Sequence, residues 1–152
     1  MRFILFYFIF APEPVILYVT NNGDDTVEIY DISNPILPVR VGEFNDGNLN
    51  GPAGLAITGT TLYVTNNGDD TVEIYDISNP ILPVRVGEFN GGNLNEPIGM
   101  AITGDILYVA NANGDTVGVY NISNPTAPTF IGEFNGGNLD SPTILTIFSL
   151  FG

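Results

Sequence analysis

The stretch Leu62-Tyr63-Val64-Thr65-Asn66-Asn67-Gly68-Asp69-Asp70-Thr71-Val72-Glu73-Ile74-Tyr75-Asp76-Ile77 decides how this chain folds. Two runs rich in β-branched and aromatic residues, 62–65 and 71–77, flank a polar Asn-Asn-Gly-Asp-Asp segment. That is the pattern of two antiparallel strands joined by a tight turn. Upstream, residues 54–58 followed by Gly59-Thr60 supply a further run. Downstream, Ser78-Asn79-Pro80 leads to a fourth at 83–89, and a long polar connection follows at 90–97. No window combines helical spacing of apolar residues with a cap, and Gly and Pro are too frequent for a long helix. The expectation is four short strands and essentially no helix.

The same text recurs along the chain. Leu17-Tyr18-Val19, Leu62-Tyr63-Val64 and Leu107-Tyr108-Val109 are spaced by 45 residues, and three copies tile 17–151. The first two copies are identical at 39 of 45 positions, and the third has drifted. A unit duplicated whole must be able to stack on copies of itself to bury its apolar faces. Four-stranded antiparallel units of roughly 40–50 residues in tandem are the blades of a β-propeller. The fold expected is therefore all-β: a partial propeller of three tandem 45-residue blades over 17–152, preceded by an apolar segment at 1–16. With strands named A to D outward from the channel, Gly54 and Ala56 suit the crowded innermost strand. Pro80, Pro83 and Arg85 suit the outermost, whose free edge must resist stray pairing.

A chain of 152 residues with 44% apolar residues fits one domain with a real core. Seventeen acidic residues against three Arg give a net charge of −14. Such a surface repels phosphate backbones and anionic lipids, so neither nucleic acid nor a membrane surface is expected as partner. Cys, His, Trp and Lys are absent. Thiol nucleophiles, imidazole bases, Schiff-base lysines and Cys/His zinc sites go with them.

The motifs carry a resemblance. Leu17-Tyr-Val-Thr-Asn21 and Leu62-Tyr-Val-Thr-Asn66, each followed by Asn-Gly-Asp-Asp-Thr-Val, resemble the YVTN-type β-propeller repeat. Val-Glu-Ile-Tyr-Asp-Ile-Ser-Asn-Pro at 27–35 and 72–80 resembles the LVIVD repeat. The resemblance covers the three copies. It implies a bacterial or archaeal protein exported to the cell envelope or outside it, within rings of six to eight blades. Some similar propellers are lactonases or oxidoreductases whose sites use His or bound metal and cofactor ligands, and this chain has no His to match them.

Alternation of strand direction places the B-to-C turns and the D-to-A connections at one end of the blades. The candidate ligand-binding face therefore gathers Asn22, Asp24, Asp25, Asn67, Asp69, Asp70, Asn113 and Asp115 from the turns and Asn45, Asn48, Asn50, Asn90, Asn93, Asn95, Asn135 and Asn138 from the connections, with Asn48, Asn93 and Asn138 as the candidate ligand-binding residues among the latter. Asp and Asn oxygens are hard ligands, so calcium or a hydroxyl-rich glycan would suit them. Against this, Asn, Asp and Gly are what hairpin turns use for positive φ and Asx hydrogen bonds, and the spacing is not that of the twelve-residue calcium loop. No cofactor is expected. Asp24-Asp25 and Asp69-Asp70 do not read as acid/base pairs, because adjacent residues at a strand end point to opposite sides. Glu28 with Arg40, and Glu73 with Arg85, fall at diagonal positions of strands C and D. Both change together in the third copy, to Gly118 and Phe130, which implies contact between the two positions and Phe130 lying over Gly118.

Arg2 followed by nine apolar residues, Phe3 to Ala11, reads equally as a short secretory signal or, shifted by the 45-residue period, as the first inner strand. Residues 143–148 repeat the inner-strand position once more. Two chains joined head to tail through that spare strand would make a six-bladed ring, so a homodimer is expected. The function expected is a noncatalytic module offering its acidic loop face to a protein or glycan. The alternatives are a calcium-dependent hydrolase or lactonase using carboxylates, and a fragment of a longer propeller without independent function.

Overall fold

The computed structural model describes residues 12–150 and resolves them into three antiparallel sheets. β1 (Ile16–Asn21), β2 (Thr26–Asp31) and β3 (Val39–Phe44) form the first. β4 (Pro52–Thr58), β5 (Thr61–Asn66), β6 (Thr71–Asp76) and β7 (Val84–Phe89) form the second. β8 (Pro97–Thr103), β9 (Ile106–Asn111), β10 (Thr116–Asn121) and β11 (Thr129–Phe134) form the third. Each sheet runs in sequence order, as in an up-and-down blade. The strand ends differ from the sequence reading by one or two residues, and no helix occurs among the described residues. The partial propeller is confirmed.

The core lies between blades. On β5, Leu62 and Val64 face the first blade and pack with Tyr18, Val27, Ile29 and Leu49, while Tyr63 between them faces the third blade and packs with Met100, Leu107 and Val109. A strand with a partner blade on each side is buried along its whole length, as β5 is, whereas β1 shows the alternation of a strand covered on one face. Hydrogen bonds repeat the same 45-residue logic. Tyr18 Oη donates to Pro80 O and Tyr63 Oη to Pro125 O, both at 2.7 Å, and Thr20 and Thr65 hydroxyls donate to Ala53 O and Ile98 O of the next inner strand. Burial pushes the Tyr63 hydroxyl up to about 12, so it stays protonated and serves as a donor.

Inner strands touch so closely that only glycine fits. A Cβ on Gly54 would lie 2.0 Å from Ile98 O, and one on Gly99 would lie 2.3 Å from Thr143 O. Thr143 stands 45 residues after Ile98, so the C-terminal segment occupies the inner-strand place of a following blade. The expectation of a strand at 143–148 is corrected in one respect: the segment makes no ladder, because among the described residues no second strand lies beside it to pair with. Residues 53–55, 98–100 and 143–145 together line a groove of about 230 Å³ along the inner edge. The readings of Phe3 to Ala11 fall on residues outside those described.

A register shift at the same point of each C–D ladder sets Arg40 and Arg85 diagonal to Glu28 and Glu73. Arg40 bridges Glu28 and Glu43, and Arg85 bridges Glu73, at 2.6 Å from its Nε, and Glu88. The inferred contact holds, and a second glutamate joins each pair. In the third copy the expected cover is corrected. Phe130 does not rest on Gly118, whose open side meets Tyr120 and Asn111; its ring packs edge-on to Tyr120 at 5.6 Å and against Gly92 of the preceding connection.

Candidate functional site

The turns and connections do share one end of the blades, and hydrogen bonds knit them into a repeating clamp. The last Asp of each turn, Asp25, Asp70 and Asp115, adopts positive φ. Its carboxylate accepts the backbone N–H of the outgoing connection, at Gly51, Glu96 and Ser141 respectively, over 2.7–2.8 Å. Asp24 accepts from the Asn21 amide at 2.9 Å. Asn22 borders Gly51, and Asn138 bonds back to Asn135 and Gly136 within its own connection.

The incoming connection of the second blade is gripped from the other side as well. Asn66 Oδ1 accepts Asn50 N–H at 2.6 Å, Asn66 Nδ2 donates to Asn48 O, and Asp69 accepts from the side chains of both Asn50 and Asn66. Gly68 and Asn67 donate their backbone N–H groups to Asn50 O and Gly51 O. The Asn50 side chain can lie over the turn only because residue 68 is glycine, since a Cβ there would meet it at 2.6 Å.

In the third blade that grip is reduced to one backbone bond, Ala112 N–H to Glu96 O at 3.0 Å. Position 68 becomes Asn113, whose Cβ takes the space the connection's side chain would need, and position 69 becomes Gly114, which has no carboxylate. The incoming connection stays seated through buried Leu94, with Gly92 against Phe130 and Gly91 O accepting from Tyr120 Oη at 2.8 Å, but its side chains do not fill the space over the turn. A cavity of about 460 Å³ opens between connection and turn. Its walls are Asp70, Asn93, Leu94, Asn95, Gly114, Thr116 and Glu133. Asn93 Nδ2 lies 3.5 Å from Glu133 Oε1. Asn111, fully buried behind Thr116, donates to the Thr116 hydroxyl at 3.2 Å, and its Oδ1 has no hydrogen-bond partner.

Of the residues singled out from sequence, the cavity brings together Asp70, Asn93 and Asn95. The other turn carboxylates serve as acceptors within their own clamps. Sequence reading missed Glu133 and Thr116, although the exchange of Gly68-Asp69 for Asn113-Gly114 was a visible signal that one turn differs from its copy. Among the described residues no three acidic side chains gather as a metal site would require.

Comparison with known proteins places the fold. No curated protein matches the sequence. A functionally unknown protein from Desulfotomaculum acetoxidans matches with TM-score 0.68 at 22% identity, over 82% of this chain and 39% of that one. A protein of Bacteroides fragilis assigned as a 6-phosphogluconolactonase matches with TM-score 0.70 at 19% identity, over 87% and 38%. The periplasmic gluconolactonase of Pseudomonas aeruginosa matches with TM-score 0.68 at 18% identity, over 83% and 37%. At these identities the likeness shows the propeller fold, and the chain spans about two fifths of the length of each. The family described as "Lactonase, 7-bladed beta-propeller" matches residues 7–129. That match corrects the expectation of a noncatalytic module. Lack of His, Cys and Lys removes mechanisms that use those groups, but it leaves hydrolysis by a carboxylate and water open. The match reaches from the first blade to the start of β11, and the chain belongs to the lactonase family of seven-bladed β-propellers.

Proposed function

We propose that this chain takes part in hydrolysing a lactone, and that the ring is held in the cavity between the second and third blades. The family match over 7–129 carries this reading. The cavity adds what the chemistry needs, two carboxylates, Asp70 and Glu133, beside the hydroxyl of Thr116 and the amide of Asn95. In the reaction a water oxygen bonds to the lactone carbonyl carbon while a carboxylate takes the water's proton. The ring C–O bond then breaks, and the ring oxygen leaves as a hydroxyl on receiving that proton. Glu133 is assigned the proton transfer, because one Asp70 oxygen is already committed to Glu96 N–H at 2.7 Å. The seven blades of the family give no support to the six-bladed homodimer expected from the blade count. The YVTN-type and LVIVD-type readings of the motifs describe the blade text and add nothing to this assignment.

The test is a pH-stat assay on an unphosphorylated δ-lactone, read against spontaneous ring opening. Turnover above background is expected, falling by about a hundredfold in Glu133→Gln, the usual scale for losing a proton-transfer group. An unchanged rate in that variant would remove Glu133 from the chemistry, and no turnover by the parent chain would remove the hydrolytic reading.

A further inference from the structure

Each blade meets the next through two half-faces that the 45-residue repeat copies along the chain. The forward half, on the first and second blades, offers the hydroxyl of Tyr18 or Tyr63 to a carbonyl of the next blade, Pro80 O or Pro125 O, at 2.7 Å. It also sets a ring, Phe44 or Phe89, against Tyr75 or Tyr120, with centroids 4.6 and 4.8 Å apart. The rear half, on the second and third blades, is a Leu-Val pair, Leu62 with Val64 or Leu107 with Val109, fully buried by that contact. Two halves are left unmated. The third blade repeats the forward half with Tyr108, Val117 and Phe134, and the first blade repeats the rear half with Leu17, Val19, Tyr30 and Pro35. Among the described residues Tyr108 Oη and Pro35 O have no hydrogen-bond partner. Leu17, Val19 and Phe134 are 43%, 40% and 51% exposed, where Leu62 and Val64 are at 0%.

The first blade also lacks an inner strand among the described residues, while residues 143–148 are an inner strand without a blade. They already lie where the next blade's inner strand belongs. Thr143 O faces Gly99 as Ile98 O faces Gly54, and Leu145 and Ile147 line an apolar hollow with Tyr108, Val117 and Phe134. We infer that the open face of the first blade is docked by the third blade of a second copy of this chain, whose residues 145–148 add to β1 as its inner strand. The second blade gives the register. Leu55 pairs with Val64 and Ile57 with Leu62, so Leu145 pairs with Val19 and Ile147 with Leu17 of the other copy. Tyr108 Oη then donates to Pro35 O, Phe134 meets Tyr30, and Leu17 and Val19 leave water. One link is not carried forward, since Ala110 stands where Thr20 and Thr65 bind the next inner strand by a hydroxyl. Each chain bears both halves, so a second copy supplies the match to each at once. Two copies about one axis mate all the open halves and close a ring of six blades, because each brings three. Mated halves carry this dimer where the blade count does not, and its ring has one blade fewer than the family's description states.

The experiment is light scattering of the full chain at physiological salt, which screens the net charge of −14 on each copy. A particle of twice 16.3 kDa is expected. Phe134→Asp puts a charge into the docked face and should halve that mass while the sheet signal in circular dichroism stays. Deletion of residues 143–152 should halve it too. Val84→Asp, at a position 60% exposed on the outer edge of the doubly covered second blade, should leave it unchanged. Register is read by cross-linking, because the chain has no Cys of its own. Leu17→Cys with Ile147→Cys places thiols at directly opposed positions of adjacent strands, so oxidation should join two chains. Leu17→Cys with Thr146→Cys points them to opposite sides and should join none. A parent particle of one chain's mass would overturn the inference and leave the open halves to further blades of one polypeptide. So would a dimer that survives the deletion, or a Leu17→Cys with Ile147→Cys protein whose disulfide closes within one chain. If Phe134→Asp unfolds, the cysteine pair decides alone, and absence of an inter-chain disulfide sinks the proposal.

Discussion

Replacing Arg85 by alanine should cost roughly 2–3 kcal/mol at neutral pH, and most of that loss should vanish on acidification. The Glu73 side chain is 1% exposed, while Arg85 keeps 27% of its surface in water. Breaking a fully buried pair costs about 3–5 kcal/mol because a charge is stranded, and the partial exposure of Arg85 brings the figure down. Burial already pushes the Glu73 carboxyl above the ordinary value of 4.5, with the Arg85 hydrogen bond holding it back. Without Arg85 it rises further in the folded chain and is unchanged in the unfolded one. The folded variant then binds a proton that the unfolded chain does not, so it regains stability as pH falls through the raised value towards the ordinary one. Melting curves of both proteins at pH 7 and pH 4 should show the gap closing. A gap of equal size at both would mean that Glu73 is not stranded. Arg40→Ala gives the internal control. Arg40 is 49% exposed, its partner Glu28 belongs to a blade covered on one side, and the guanidinium holds that carboxyl below its ordinary value. The change there should be far smaller and should also close in acid, but over a lower pH window: the stability Arg40 lends Glu28 is present above the ordinary carboxylate value and is lost as pH falls through the lowered one.

Gly54→Ala should be among the most damaging single substitutions in the chain, at about 3 kcal/mol. The added methyl would sit 2.0 Å from Ile98 O and 3.2 Å from the Thr65 hydroxyl. The first of these is backbone of a hydrogen-bonded strand, so it cannot turn aside as a side chain would, and the two inner strands must part. Thr65 Oγ1 also accepts Gly54 N–H at 2.6 Å and donates to Ile98 O at 2.7 Å, a bridge that parting would break. Gly99→Ala meets Thr143 O in the same geometry, but that segment is in no ladder and can shift, so a smaller loss is expected. Gly87→Ala has nothing within 4 Å of its new methyl and should be neutral or gain less than about 1 kcal/mol. Chemical denaturation of the three variants ranks them. Equal losses at Gly54 and Gly87 would show that chain flexibility, not contact between blades, sets the need for glycine.

The blade itself was legible in the text. Strand runs bounded by Asn-Gly-Asp-Asp and Ser-Asn-Pro have period-two side-chain chemistry that admits no helix, and a 45-residue repeat can bury its faces only by stacking. The joint change of Glu and Arg to Gly118 and Phe130 likewise announced a contact, since two residues lost together were supporting each other. Where Phe130 would go was not legible, because its place depends on the connection from the previous blade, which sequence distance does not locate. The candidate face was gathered correctly at one end, but the role of each oxygen on it was not. Asp25, Asp70 and Asp115 look alike in sequence, and what they hold depends on which N–H the next blade brings to them. Near-identical glutamates, Glu28 and Glu73, differ in burial because one sheet is covered on one face and the other on both. Local sequence determined strands, turns and their order, which depend on short-range sterics and hydrogen bonding. The stacking of blades decided which clamp closes and which stays open as a cavity, because both outcomes turn on whether a side chain from one copy fits the space left by another.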